Sequence, residues 1–395
     1  MSERATSPRP ILYPGRFDLL DAIRGLAALA VVIDHEIGSQ NHSLQLGQPA
    51  VMVFFVISGY CIASAADACQ RRGFGFLQFM WRRVRRIYPP YLLSLVFWAA
   101  TRAFKLKMNG INQLARPWTD WLQNLTLTQW LTLVRHPANH AAQNPTLFVT
   151  AYWSLDYEEQ FYLLFGVALV VVAGSVLRMR AFVAALIVVS VAWIAGFPTL
   201  CYGVFIEYWA MFGVGALVFY RLCQQQTAVR RRLADISIVG LLFLSILMRL
   251  RAAGKETPVT WIDLIQPPTR VAWDDLAVCS AFGVVLLLIR PLNDWYNRNR
   301  WCSLPLGSLG LISYSLYLVH QFNLRFVATA VAWLLHTARI DNPAIALIAV
   351  LQCAAQVAIA GVFWYFCERP FLNKSLLAIS GSAALAQELS GKTNK

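Results

Sequence analysis

The chain alternates between long apolar runs and short polar breaks. Runs of the ~17–25 residues that carry a helix across a bilayer recur near 18–37, 48–66, 87–104, 158–174, 181–196, 202–220, 235–250, 271–289, 306–335 and 344–366. They predict an all-α polytopic membrane protein, a bundle of about ten transmembrane helices. The ninth run is long enough to tilt or to hide a break, and the fifth and sixth lie close together. The breaks hold most of the arginines. With the N-terminus placed inside, Arg71, Arg72, Arg82, Arg83, Arg85, Arg86, Arg178, Arg180, Arg230, Arg231 and Arg232 all fall on the cytoplasmic side, as the positive-inside rule requires. Both termini are then cytoplasmic. The longest break, 105–157, lies outside; it is rich in Trp, Asn, Gln and Thr and predicts a cap with short amphipathic helices. The expected organisation is a cytoplasmic N-terminal segment (1–17), one transmembrane domain (18–372) and a cytoplasmic tail (373–395).

Polar residues inside greasy runs carry the candidate chemistry. The first run reads LLDAIRGLAALAVVIDHEI over Leu19–Ile37 and holds Arg24 and His35. A cation at bilayer depth costs roughly 2.5–3.5 kcal/mol on insertion scales, so it marks a functional site by default. At about 100° and 1.5 Å per residue, the two side chains share a helix face, offset by roughly 20° and about 16 Å along the axis. Small residues between them (Gly25, Ala27, Ala28, Ala30) suit close packing in a bundle rather than contact with lipid. The competing reading is a snorkelling Arg24 and a packing His35.

Composition confirms the class. The chain has 395 residues, is 58% hydrophobic and only 14% charged, with mean hydropathy +0.51; no soluble domain of this size has that balance. The net charge of +14 fits cytoplasmic loops and anionic headgroups, and no nucleic-acid-binding motif accompanies it. Eight cysteines without a CxxC pair read as small core residues, not as disulfides or a zinc site. The start lacks an apolar signal region of its own, so the first run is expected to remain as an uncleaved helix.

Three further motifs stand out. WRRVRRIYPPY (Trp81–Tyr91) places Arg82, Arg83, Arg85 and Arg86 just before a span. It reads as a positive-inside anchor or as a phosphate clamp, since guanidinium forks bind phosphate bidentately and Arg at i and i+3 share a face. Two such registers exist, Arg82/Arg85 and Arg83/Arg86. AYWSLDYEEQFYLLF (Ala151–Phe165) puts Glu158 and Glu159 at the entry to a span, either among an interfacial aromatic belt or as a carboxylate that orients a histidine. ISYSLYLVHQF (Ile312–Phe322) puts Tyr314, Tyr317 and His320 on one side of a helix, for packing or for bonding a polar ligand. His136 and His140 are interrupted by Pro137, so no metal is expected there.

These motifs, in this order, resemble the acyltransferase 3 family of integral membrane O-acyltransferases. The R-x10-H pair Arg24/His35 is followed by VFFVISGYCI (Val53–Ile62), RRVRRIYPPY, WSLDYEEQFYLL, LISYSLYLVH and finally CERPF (Cys367–Phe371). The likeness runs over about residues 16–372. It implies about ten spans in the bacterial inner (plasma) membrane and a cytoplasmic acyl-CoA donor, acetyl-CoA in the simplest case, used as a co-substrate with no permanently bound cofactor. It also implies an acceptor on or across the membrane. Acceptors in the family are usually sugars of surface polysaccharides, lipopolysaccharide or Nod factors, and in some members macrolides. Met52 stands where the family often has an acidic residue. The stand-alone form, without an esterase-like domain after the last span, is expected.

The resemblance and the residues together assign roles. His35 is the general base, because an imidazole titrates near working pH. Glu158 is its orienter. Arg24 grips a phosphate or polarises the thioester carbonyl. One register of Arg82, Arg83, Arg85 and Arg86 holds the donor's phosphates, and Tyr317 and His320 line the pocket. Arg24 inside and His35 nearer the outside predict a continuous cavity between them with Glu158 at its outer end. A transporter or flippase of lipid-linked glycans would also need about ten spans, but the chain shows no internal repeat. Acylation of a small molecule such as a macrolide is the other alternative.

Overall fold

The structure, a computed structural model, describes residues 17–37, 46–110, 112–172, 175–224, 227–252, 272–340 and 344–372. The N-terminal arginines Arg4, Arg9 and Arg16 and the tail after 372 lie outside the described residues. Every regular element among them is helical, with one isolated bridge between Ala138 and Cys201. The helices are α1 (Leu19–Ile37), α2 (Gly47–Arg71), α3 (Phe76–Asn109), α4 (Trp118–Thr126), α5 (Trp130–Arg135), α6 (Trp153–Val171), α7 (Val176–Gly196), α8 (Trp209–Cys223), α9 (Ala228–Ala252), α10 (Ala272–Ile289), α11 (Leu292–Arg298), α12 (Arg300–Thr337) and α13 (Ile345–Phe363).

Each of the ten apolar runs coincides with a helix, yet six of these helices are long and apolar enough to cross a membrane: α2, α7, α9, α10, α12 and α13. The other four fall short for physical reasons. α1, α3 and α6 carry the charged residues that mark the candidate site, and α8 is only 15 residues long. Outward faces of α7, α9 and α13 leave large apolar side chains such as Val188, Phe243 and Val362 exposed, as lipid-facing surfaces do. The protein is a multi-pass membrane protein.

Glycine contacts hold the centre together. A Cβ on Gly25 would lie 2.6 Å from the Gly310 nitrogen, and one on Gly310 would lie 2.1 Å from the Asp21 carbonyl oxygen. α1 and α12 therefore touch backbone to backbone, and no side chain fits between them. α2 and α8 approach in the same way: a Cβ on Gly59 or Gly215 would collide at 1.9 Å with the carbonyl of Phe212 or Val56. Small-residue contacts of this kind replace the hydrophobic drive that lipid cannot supply. α9 and α10 are joined by the buried ion pair Arg249–Asp274 at 2.8 Å. Asp275 on α10 accepts from Gln48 on α2 at 3.1 Å.

The connection between α3 and α6 is a cap, as its composition predicts, but it also reaches into the bundle. Buried Asn124 organises it: its amide donates to the Asp120 and Thr146 carbonyls at 2.8 Å, and its oxygen accepts from Gln129 and from the Phe148 N–H. The Trp98 and Phe148 rings stack 4.5 Å apart. The last turn of the cap, Thr150–Tyr152, docks on α12: the Ala151 N–H donates to Gln321 at 2.8 Å and the Tyr152 hydroxyl to the Leu318 carbonyl at 2.9 Å.

Candidate functional site

The R-x10-H pair faces one neighbour, as its helical spacing predicts. Arg24 Nη2 donates to the Gly310 carbonyl at 2.8 Å and lies 3.4 Å from Asp21. His35, higher on α1, sits against His320 of α12, with ring centroids 5.0 Å apart. Both contacts fall on α12 because the glycine packing holds the two helices parallel.

The histidines have defined tautomers. His35 Nδ1 lies 2.9 Å from the Val31 carbonyl, and His320 Nδ1 lies 2.9 Å from the Tyr317 carbonyl. A carbonyl only accepts, so both Nδ1 atoms carry a proton, and in the neutral imidazole form Nε2 is the nitrogen that keeps a lone pair. His320 Nε2 is buried without a hydrogen-bond partner. Gln356 of α13 braces the pair by donating to the His320 carbonyl at 3.2 Å and to buried Glu36 at 2.9 Å.

Arg24, Arg83, Arg86, Glu158 and Tyr317 line one cavity of about 100 Å³. The two arginine registers face different surroundings. Arg83 and Arg86 face this cavity, half-buried, whereas Arg82 and Arg85 are exposed and do not line it. Arg83 is held over the Tyr162 ring at 5.2 Å, while Arg82 lies over Phe74 at 4.6 Å. Pro89 and Pro90 interrupt the hydrogen-bond ladder of α3 just beyond the cluster, since proline has no N–H to give the carbonyl one turn back.

Glu158 occupies a different place from the one its sequence position suggests. It takes hydrogen bonds from Ser58 Oγ at 3.0 Å and from the Tyr162 hydroxyl, and it belongs to the arginine cavity rather than to His35. The orienting acceptor of His35 is the Val31 carbonyl. The reason is where α6 begins. The helix starts at Trp153, five residues earlier than the apolar run indicates, and its docked approach carries Glu158 to the level of Ser58 in the middle of α2. Glu159 faces elsewhere and accepts from Tyr88.

The cavity stops short of His35. Tyr317 closes it: its hydroxyl donates to the Ala151 carbonyl and accepts from Ser154 Oγ at 2.7 Å. Its ring lies 5.8 Å from Phe54 on one side and 5.9 Å from His320 on the other. A continuous opening from Arg24 to His35, expected from the sequence, is therefore not what the structure has. Tyr317 lines the arginine chamber and also packs against the histidine pair.

Sequence reasoning missed Glu368. The last turn of α13 widens to a π-turn over Trp364–Glu368. Buried there, Glu368 takes the Ser315 hydroxyl at 2.5 Å and faces Arg86 and Arg24 electrostatically. Its signal was present: a carboxylate directly after an apolar span, in CERPF. Ser58 and Tyr162 gave no such signal, being ordinary residues of apolar helices. Met52, at the position often acidic in the family, is fully buried and supplies no polar side chain. No group of three potential metal ligands occurs among the described residues.

Comparison with known proteins accords with this arrangement. BcsY of Komagataeibacter xylinus, named as a membrane-bound transacylase, is 28% identical over 315 residues, 76% of this chain and 71% of that protein. The O-acetyltransferase OatA of Staphylococcus aureus is 30% identical over 172 residues, 41% of this chain but only 25% of OatA. No solved structure matches the chain. The acyltransferase domain of the Acyl_transf_3 family matches residues 17–365, from the start of α1 to the π-turn. The chain thus belongs to the acyltransferase 3 family and is an enzyme that transfers acyl groups other than aminoacyl groups.

Proposed function

We propose that the protein moves an acyl group, acetyl in the simplest case, from cytoplasmic acyl-CoA to a hydroxyl of a surface or secreted carbohydrate. It would do so across the bacterial inner membrane, with about ten spans and both termini inside. The observation that carries this reading is the adjacency of the arginine chamber and the histidine pair, which Tyr317 touches on both sides. Arg83 and Arg86 suit phosphate oxygens of the donor. A chamber of about 100 Å³ is too small for a nucleotide but admits the acyl end of a thin arm. Arg24 then polarises the thioester carbonyl.

The acceptor hydroxyl meets this carbonyl from the histidine side. Its oxygen bonds to the acyl carbon while the carbon–sulfur bond breaks. His35 Nε2, unprotonated in the tautomer fixed by Val31, takes the hydroxyl proton and returns it to the departing CoA thiolate. Tyr317 must turn aside for the two halves to meet. Its fixed position favours a second reading, in which a small acceptor enters the arginine chamber from the donor's side.

Mass spectrometry of envelope glycans and secreted metabolites, from cells with and without the gene, tests the proposal. An acyl mass lost from a glycan supports it. An acyl mass lost only from a small cytoplasmic metabolite replaces it with the second reading. Absence of CoA release by the purified protein with any acceptor-containing extract refutes both.

A further inference from the structure

A second recess lies at the opposite end of the bundle from Arg83 and Arg86. It is a cleft of about 350 Å³ between α3 and α12, lined by Arg102, Lys105, Asn109, Gln113, Gln321 and Arg325. Its volume falls within the ~300–1,000 Å³ typical of small-molecule sites. From Arg86 to Arg102 along α3 is about 24 Å, so the cleft and the donor chamber face opposite ends.

Its chemistry is one-sided. Three cations line it, and no carboxylate does. Among the described residues none of the three is in an ion pair. Two are held in place by rings instead: Arg102 lies 5.7 Å from the Trp98 ring and Lys105 5.5 Å from the Phe326 ring. Like charges gathered without a counter-ion repel, and cations at the outer end of spans run against the positive-inside tendency. Both costs are offset once an anion occupies the cleft.

Amides complete the lining. Asn109, Gln113 and Gln321 offer donors and acceptors of the kind that recognise sugar hydroxyls. Gln321 uses its oxygen to hold the Ala151 N–H at 2.8 Å, which leaves its amide N–H groups for a ligand. Gln321 directly follows His320 on α12, so the cleft opens one residue along that helix from the histidine pair, although neither histidine lines it. A bare headgroup site needs the charges but not this rim of amides.

We propose that this cleft is an acceptor subsite that binds the anionic group of an acidic sugar, placing a neighbouring hydroxyl at the histidine pair. The inference rests on the acyltransfer reading above, and it narrows the acceptor to a carboxylate- or phosphate-bearing glycan.

The test measures binding without turnover. The full-length protein in phosphatidylcholine nanodiscs is titrated calorimetrically with tetragalacturonate, with glucose 6-phosphate and with the neutral methyl ester of tetragalacturonate. At least one anionic sugar should bind, and the ester should bind at least about tenfold more weakly. The preference should shrink at 0.5 M salt. R102Q/K105Q/R325Q should lose the preference, and K105R should retain it. Acetyl-CoA affinity, measured on the same samples, reports independently on the donor chamber and on folding.

Equal binding of ester and acid, or binding of neither anionic sugar by protein that binds acetyl-CoA, overturns the subsite and leaves the acyltransfer reading intact. Competition by added phosphatidylglycerol that exceeds both sugars and vanishes in the triple variant also overturns it, since the cleft is then a lipid headgroup site. Anion-selective sugar binding by protein that neither binds acetyl-CoA nor releases CoA supports the subsite while refuting the acyltransfer reading.

Discussion

The two arginine registers on α3 allow a controlled test of donor binding. R83Q/R86Q and R82Q/R85Q remove the same number of charges from the same break in the sequence. Any effect on membrane orientation is therefore shared. Their surroundings differ: Arg83 and Arg86 line the chamber, and Arg82 and Arg85 face outward. A hydrogen bond to a charged group is worth about 1.5–3 kcal/mol. Loss of one such bond from each chamber arginine then costs about 3–6 kcal/mol. At roughly 1.4 kcal/mol per tenfold, acetyl-CoA affinity should fall by about 10²–10⁴. Exposed charges contribute about 0–1 kcal/mol each, so R82Q/R85Q should weaken binding by no more than about thirtyfold. Calorimetry on the purified proteins reads both values, and a reporter fused after Lys395 verifies orientation. Equal weakening by the two variants would refute the chamber as the donor site and leave all four arginines as topological anchors.

Three other outcomes follow from the geometry. H35A should lower acyl transfer by about 10²–10⁴ with normal expression and unchanged acetyl-CoA affinity; turnover within a fewfold of wild type would remove His35 as the base. R24K should also be severely impaired in CoA release assays, because an ammonium cannot hold the Gly310 carbonyl at 2.8 Å and present a planar fork to the donor together; full activity would reduce Arg24 to a point charge. G25A should lower stability by about 1–3 kcal/mol, seen as an earlier melt in detergent, since its Cβ would meet the Gly310 nitrogen at 2.6 Å. G240A, where a Cβ meets nothing within 4 Å, is the matched control, and similar melts for the two would contradict the close packing of α1 on α12.

How far the sequence reached depends on what each feature needs. The R-x10-H pair was readable because one helix fixes its own geometry: eleven residues at the helical pitch put Arg24 and His35 on a common face, and both meet α12. The helical positions were readable from apolar runs for the same local reason. Glu158 was not. Its depth depends on where α6 starts, and that is set by the docking of Ala151 and Tyr152 on α12, a contact between residues far apart in the chain. The register within RRVRR failed to resolve for a similar reason. Both pairs share i, i+3 spacing, and only Tyr162 and Glu368, from α6 and the end of α13, distinguish the inner pair. Tyr317 was named as a pocket residue, but its place between two compartments emerges only from Ser154 and Phe54 on other helices.

The glycine contact between α1 and α12 has a mechanical consequence. Two helices in backbone contact, with Arg24 locked to Gly310 below and His35 against His320 above, cannot slide past one another without breaking both levels. They act as a stator. If the arginine chamber holds the donor as proposed, its path to the histidines would open on the other flank of Tyr317, where the last turn of the cap and the first residues of α6, Thr150–Ser154, are latched to α12 through Ala151, Tyr152 and Ser154. The first three residues of this segment belong to the cap. A ligand settling on the cap thus has a direct lever on the latch, and under the proposed function the arrival of an acceptor would set the moment at which the thioester becomes reachable.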